Sequence, residues 1–238
     1  MPKVLDSWQV LPHGPLHEVD EGLLTVTGEI RMPLLSFPRR MTVARLADGG
    51  SLIYNGIALA EPEMARLEAL GRPSVLVVPS PFHRMDAKIW KARYPGLRVL
   101  TPAGAAARVE EVVPVDRGTL ADPEVSLITV PGTGEREAAL EVRRGRNLTV
   151  VVNDIIGNVP FPPDRVARLL IRVLGFGGGR PQVPRMVKLA LIKDKPALKR
   201  QLLAWAAESG LRTVLPSHGE PLERDPRAAL AALAHALG

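Results

Sequence analysis

Three apolar runs in this chain each break off at a His or an Asp: VLVVPSPFHRMD ends at Asp86, LTVVVND ends at Asp154, and TVLPSHGE surrounds His218. Stretches of Val, Leu and Ile four or five residues long read as buried strands. Loops leaving one edge of a sheet converge in space however far apart they stand in sequence. His83, Asp86, Asp154 and His218 are therefore the candidates for a single site.

The chain has 238 residues, 46% hydrophobic and 24% charged, enough to bury one full core, so residues 1–238 are expected to form one domain. Lys and Arg total 31 against 25 acids, a net charge of +6. The arginines are scattered and interleaved with acids, and only 4% of residues are aromatic. A solvated basic surface is the expectation, and nucleic acid is not an expected partner. The absence of cysteine excludes disulfides, thiolate ligands and a Cys nucleophile. Any metal must be held by His and carboxylates. The opening MPKVLDSWQVLPHG has no apolar signal region, and the apolar stretches stop short of a membrane span. These features predict a cytoplasmic protein with no membrane partner.

Patterning predicts mixed α and β elements. TVTGEIRMPLL suits an edge strand, and MTVARLADGGSLIYNG reads as a hairpin around Asp48-Gly49-Gly50. EPEMARLEALG predicts a helix with Met64, Leu67 and Leu70 on one face, followed by the buried strand SVLVVPS. A helix beginning at Asp86 and the strand LRVLTP complete a β-loop-α-β unit. VEEVVPVDRGT and VSLITVPG are expected as strands, and LEVRRGRNLTVVVND as a second hairpin turning at Gly145. PPDRVARLLIRVLG predicts a helix that buries Val166, Leu169, Leu170 and Val173. The glycine cluster at 175–180 lacks Gly-Lys-Ser/Thr and follows a helix, so it reads as a plain connector, or else a mobile lid over a site, before it reads as a phosphate loop. KDKPALKRQLLAWAAESG predicts an amphipathic helix, and DPRAALAALAHALG an Ala-rich terminal helix with Asp225 as N-cap and Pro226 at its first position.

Each candidate has a plainer reading beside the functional one. Asp86 suits the N-cap of the helix after it, and Asn153-Asp154 suits a turn. A carboxylate beside Ile155-Ile156 is costly unless paired or metal-bound. His218 directly follows a strand and has Gly219 beside it, which lets backbone approach a site closely. His13, His17 and His235 have no partner spacing. Ser80 and Ser217 lie outside Gly-x-Ser-x-Gly, so no serine nucleophile is expected. Trp90 or Trp205, if exposed, would mark an interface of a homo-oligomer.

The element order together with these three motifs resembles the metallo-β-lactamase fold superfamily. MTVARLADGGSLIYNG is similar to its opening hairpin, VVVNDIIGN to the strand that supplies a bridging Asp, and TVLPSHGEP to its late Gly-His-Gly loop. The likeness spans about residues 40 to 221. It implies an α/β fold, the αββα sandwich, with two mixed sheets flanked by helices. The family signature His-x-His-x-Asp-His is eroded: the direct register gives Ser80, Phe82, Arg84 and Met85, a shift by one gives His83 and Asp86, and Thr133 stands where the middle histidine follows Pro-Gly. The resemblance implies a reduced site of His83, Asp86, Asp154 and His218 for at most one zinc, iron or manganese ion, with Asp86 or Asp154 as catalytic base. Two readings stay open. One is a metal-dependent hydrolase of an unknown small-molecule substrate. The other is a non-catalytic member that binds a ligand or partner in the degenerate pocket, with Arg84 or Arg185 as a fixed cation in the metal's place.

Overall fold

The computed structural model describes residues 3–32, 35–161, 164–175 and 178–238. Strands β1 (His17–Asp20), β2 (Leu23–Met32), β3 (Leu35–Arg45), β4 (Ser51–Tyr54), β5 (Pro73–Val77) and β6 (Arg98–Leu100) form one sheet in that order. Strands β7 (Val125–Thr129), β8 (Ala138–Arg144), β9 (Asn147–Asn158) and β10 (Leu211–Gly219) form a second, ordered β10-β9-β8-β7. Both sheets are mixed. The first is antiparallel from β1 to β4 and parallel from β4 to β6, and in the second only β9 and β10 are parallel. The helices are α1 (Glu61–Leu70), α2 (Ala87–Arg93), α3 (Ala103–Glu110), α4 (Arg165–Leu174), α5 (Arg185–Ala190), α6 (Lys195–Ala207) and α7 (Pro226–His235).

Alternation along the central strands sets the layers, because successive side chains leave opposite faces of a sheet. In the first sheet Ile53 and Leu76 join α1 and α2 residues such as Met64 and Trp90 in one apolar cluster. Their neighbours Leu52, Tyr54, Val75 and Val77 point the other way and meet Leu140, Val142, Val151 and Leu215 of the second sheet. Val150, Val152 and Val214 then face Leu202, Trp205 and Leu230 of α6 and α7. The result is helix, sheet, sheet, helix, the αββα order that the sequence resemblance implies.

Local chemistry accounts for most element boundaries. The two expected hairpins form, with Gly49 and Gly145 at φ of 85° and 57° in their turns. Asp194 and Asp225 accept hydrogen bonds from the Ala197 and Ala228 amides at 2.9 and 3.0 Å and so cap α6 and α7.

Other expectations fail for identifiable reasons. VEEVVPVDRGT is no strand: its first residues close α3, and Val113 packs into the helix-side cluster without pairing, next to Pro114, which has no N–H to offer a ladder. The expected edge strand β2 lies inside the sheet, because β1 covers it. Trp90 and Trp205 are both fully buried, which removes them as interface markers. On α4, Leu169 and Val173 are exposed instead of buried, while Val166 and Leu170 have side chains outside the described set.

Tyr54 crosses between the sheets, and its buried hydroxyl donates to the Ala138 carbonyl at 2.7 Å. Tyr54→Phe leaves that carbonyl without this donor and is expected to cost about 1–2 kcal/mol of unfolding free energy in denaturant titration, with an unchanged m-value.

Candidate metal centre

The edge at which β4 and β5 end faces the C-terminal halves of β9 and β10, and the site lies between them. Asp154 and His218 sit within strands and not in the loops beyond them, contrary to expectation. The parallel pairing of β9 with β10 is irregular here: Pro216 aligns with Val152, yet His218 aligns with Gly157. The extra residues on β9 break the ladder around Asp154 and free its carboxylate to leave the sheet. Gly219 then brings the chains back together. Its φ is +104°, and a Cβ there would lie 2.1 Å from the Asn158 carbonyl oxygen, so only glycine fits beside His218. Buried Arg40 fixes the same stretch from β3, donating to the Pro216 carbonyl at 3.2 Å and the Gly219 carbonyl at 2.8 Å.

His83 enters from the loop after β5, whose turn is closed by the His83 amide donating to the Ser80 carbonyl. Its Nε2 lies 3.1 Å from Asp154 Oδ1 and 3.3 Å from His218 Nε2, and His218 Nε2 lies 3.2 Å from the same Oδ1. His83, Asp154 and His218 thus present three ligand atoms to one point. Two ligands on a tetrahedral ion with bonds of ~2.0–2.1 Å stand about 3.3 Å apart, which is the spacing found here.

The tautomers follow from the surrounding network. Asn55 donates through Nδ2 to the Arg40 carbonyl at 2.8 Å, which leaves its Oδ1 to accept from His83 Nδ1 at 3.0 Å. His218 Nδ1 donates to the Pro38 carbonyl at 2.7 Å. With both Nδ1 atoms protonated, neutral imidazoles turn two lone pairs toward an ionised carboxylate. Three acceptors this close repel unless a cation, either a metal ion or protons, stands among them. Tying the far nitrogen of each imidazole to an oxygen acceptor is also how metal-ligating histidines are oriented. The donor set therefore fits one small divalent ion of the zinc or iron kind, with three protein ligands and room for a further one.

The carboxylates nearby are sorted by their partners. Burial pushes the Asp154 carboxyl up, but where protons on His83 and His218 supply the cation the imidazoles outweigh it, His83 first, and hold the group well below the usual carboxylate range. Fully buried Glu137 lies behind it, accepting the Asp154 amide at 2.5 Å, and burial together with the Asp154 charge pushes its carboxyl well above the usual range.

Asp86 borders the same pocket but turns away from the three-ligand cluster. Its two oxygens take both terminal nitrogens of buried Arg39, and its Oδ1 also accepts the Ala58 amide at 3.1 Å. Nor does it cap α2, since its side chain accepts no helix N–H. Arg84 pairs with Glu111 at 2.6 Å and Arg185 is exposed, so the cation inside the site is Arg39. Thr133 is buried and spends its hydroxyl on the Val130 carbonyl at 2.7 Å.

Asn55, Arg39 and Glu137 were not singled out from the sequence. A signal existed for Asn55 alone: Asn-Gly directly after a strand, with Asn at a φ of 58° that this residue tolerates. An Arg in a hairpin strand and a Glu ahead of a strand look like solvated charges.

A pocket of about 370 Å³ joins these groups, walled by Phe37, Phe82, Met85, Met186 and Leu191 around the polar cluster. The Arg39–Asp86 pair closes one side of it. Arg39→Met strands a buried carboxylate and is expected to cost about 3–5 kcal/mol of stability, whereas Arg39→Met combined with Asp86→Leu should restore most of the loss in a denaturant double-mutant cycle.

No protein-family model matches the sequence, and no curated protein matches it. Solved structures do match across nearly the whole chain. The metallo-β-lactamase FIM-1 from Pseudomonas aeruginosa, in its mono-zinc form, is 13% identical, with 95% of this chain and 96% of that one covered and a TM-score of 0.62. The metallo-β-lactamase from Hirschia baltica is 11% identical over 94% of this chain and 98% of that one, with a TM-score of 0.60. A third, from Erythrobacter litoralis with β-mercaptoethanol in its active site, is 12% identical over 93% and 96%, again with a TM-score of 0.60. With its two mixed sheets between helical layers, the chain has the metallo-β-lactamase fold.

Proposed function

We propose that this protein is a metal-dependent hydrolase with a mononuclear site, in which His83, Asp154 and His218 hold one zinc, iron or manganese ion and the adjoining pocket takes the apolar part of a small-molecule substrate. The observation that carries this reading is the convergence of three acceptor atoms, two of them imidazole nitrogens whose far sides are tied to Asn55 and Pro38. An ion held there supplies Lewis acidity toward a carbonyl or phosphoryl oxygen and lowers the pKa of water at the open position.

The chain's own residues supply the rest. Asn55 and the Pro38 carbonyl keep both imidazoles in the tautomer that leaves Nε2 unprotonated. Phe37, Phe82 and Met85 exclude water from the substrate's side, which strengthens every electrostatic contact within. Asp154 serves as a ligand in this scheme. Asp86, expected as a ligand or base, instead holds Arg39 in place, since both of its oxygens are engaged. Among the described residues no ligand set for a second ion is found, and Asp86 and Thr133 are otherwise bonded.

One observation favours the alternative of a non-catalytic binding protein: the Arg39 guanidinium is a permanent cation that turns Asp86 away from any ion. Metal content separates the two. Protein purified without added metal should carry about one zinc, iron or manganese per chain by plasma mass spectrometry, and His218→Ala should lose it. Chelation should lower the melting temperature of the wild type and leave that of His218→Ala unchanged. Absence of metal from both proteins, with no effect of chelator, would overturn the hydrolase reading. With metal present, hydrolysis of esters or thioesters with apolar acyl groups should fall by at least about 100-fold in His218→Ala.

A further inference from the structure

The whole net charge of +6 resides in one segment. Residues 161–193 contain five Arg and two Lys against a single acid, Asp164, and the remainder of the chain is balanced. The same segment holds five of the seven large hydrophobic side chains that the described residues leave exposed: Phe161, Leu169, Val173, Met186 and Leu189. Charge and apolar exposure therefore coincide, which neither a solvated basic face nor an ordinary core helix would produce.

Helix geometry explains the exposure. Ile171 of α4 is buried against Phe37 and Val159. At about 100° per residue, Leu169 and Val173 then face the opposite way. On α5, Val187 is buried while Met186 and Leu189 stand in solvent, Leu189 at 81% exposure. The basic groups are mixed with this apolar surface: the Arg168 and Arg172 guanidiniums lie 5.8 and 5.6 Å from the Phe161 ring. Arg165, Arg180 and Arg185 are exposed as well.

We infer that the α4–α5 face docks on an anionic membrane surface. Helices that carry Arg and Lys among exposed Leu, Val, Met and Phe match a lipid interface, where the cations meet anionic headgroups and the apolar side chains enter the acyl boundary. Among the described residues no helix is long and apolar enough to cross a membrane, so the contact is peripheral. This revises the expectation of no membrane partner, which rested on the lack of a spanning segment. A nucleic acid would use the charge but not Leu169, Val173 and Leu189. A second copy docked on the same face would set two strongly basic surfaces against each other. The inference stands apart from the metal reading, yet the two meet in space: Met186, Val187, Ala190 and Leu191 of the α5 region also wall the pocket beside His83 and His218. Docking would bring that apolar pocket to the bilayer.

Flotation of the full-length protein with vesicles tests the proposal, using phosphatidylcholine alone and phosphatidylcholine with ~30% phosphatidylglycerol. The expected result is flotation with the anionic vesicles only, weakened in ~0.5 M salt. Leu169→Glu with Leu189→Glu, and separately Arg165→Glu with Arg180→Glu, should each lower the bound fraction by about tenfold or more while circular dichroism and melting temperature stay unchanged. Three results would overturn it: no flotation with either vesicle, flotation that the leucine substitutions leave intact, or a wild-type dimer in sedimentation velocity that Leu189→Glu abolishes. Metal content measured on the same samples keeps the two proposals distinguishable.

Discussion

Each sheet is apolar on both faces, and the architecture follows from that constraint. A strand such as LTVVV cannot leave either side in water without losing about 25 cal/mol for every Å² of apolar surface exposed. One face of each sheet is covered by the other sheet, and helices must cover what is left. Val150, Val151 and Val152 show this in three consecutive residues, the outer two facing α6 and α7 and the middle one facing Leu52, Tyr54 and Leu140. Opposed apolar sheets also explain why polar groups near the site are buried, most of them hydrogen-bonded, although Arg39 Nε, Asn153 Oδ1 and Ser217 Oγ have no partner among the described residues.

Polar chemistry is confined to the edge where the sheets part, and it is organised by pairing. Arg40 grips the carbonyls on either side of His218, and burial lowers its pKa while Glu223 offsets part of the effect. Arg39 neutralises Asp86. Glu137, whose carboxyl burial and the Asp154 charge push well above the usual range, accepts the Asp154 amide beneath the cluster. Beside the Arg39–Asp86 pair, a compact set of two imidazoles and one carboxylate faces the pocket. Adjacent arginines on one strand thus serve different halves of the site, as expected of strand neighbours pointing to opposite faces.

Most of the fold was legible because its signals are local. Asp-Gly-Gly and Arg-Gly-Arg turns, Asp caps and runs of Val and Leu act within a few residues, and the elements they predict are present. The misreadings arose where tertiary partners decide the outcome. VEEVVPVDRGT has strand-like valines that find a helix-side cluster instead of a ladder. On α4 the apolar residues exceed what the core can cover, so Leu169 and Val173 face outward. Asp86 looked like a ligand by its spacing from His83, but spacing cannot show that Arg39, 47 residues earlier, takes both of its oxygens.

The sequence by itself determined the mixed α/β class, excluded thiolate chemistry, and marked His83, Asp86, Asp154 and His218 as residues that follow buried strands. These conclusions rest on composition and short-range periodicity, which a chain carries before it folds. Only the tertiary structure decided that three of the four side chains meet within 3.3 Å, that Asn55 and Pro38 set their tautomers, and that Asp86 stands aside. Those facts depend on the register slip between β9 and β10 and on pairings across more than 100 residues, and hydrogen-bond partners at that range leave no pattern in a linear sequence.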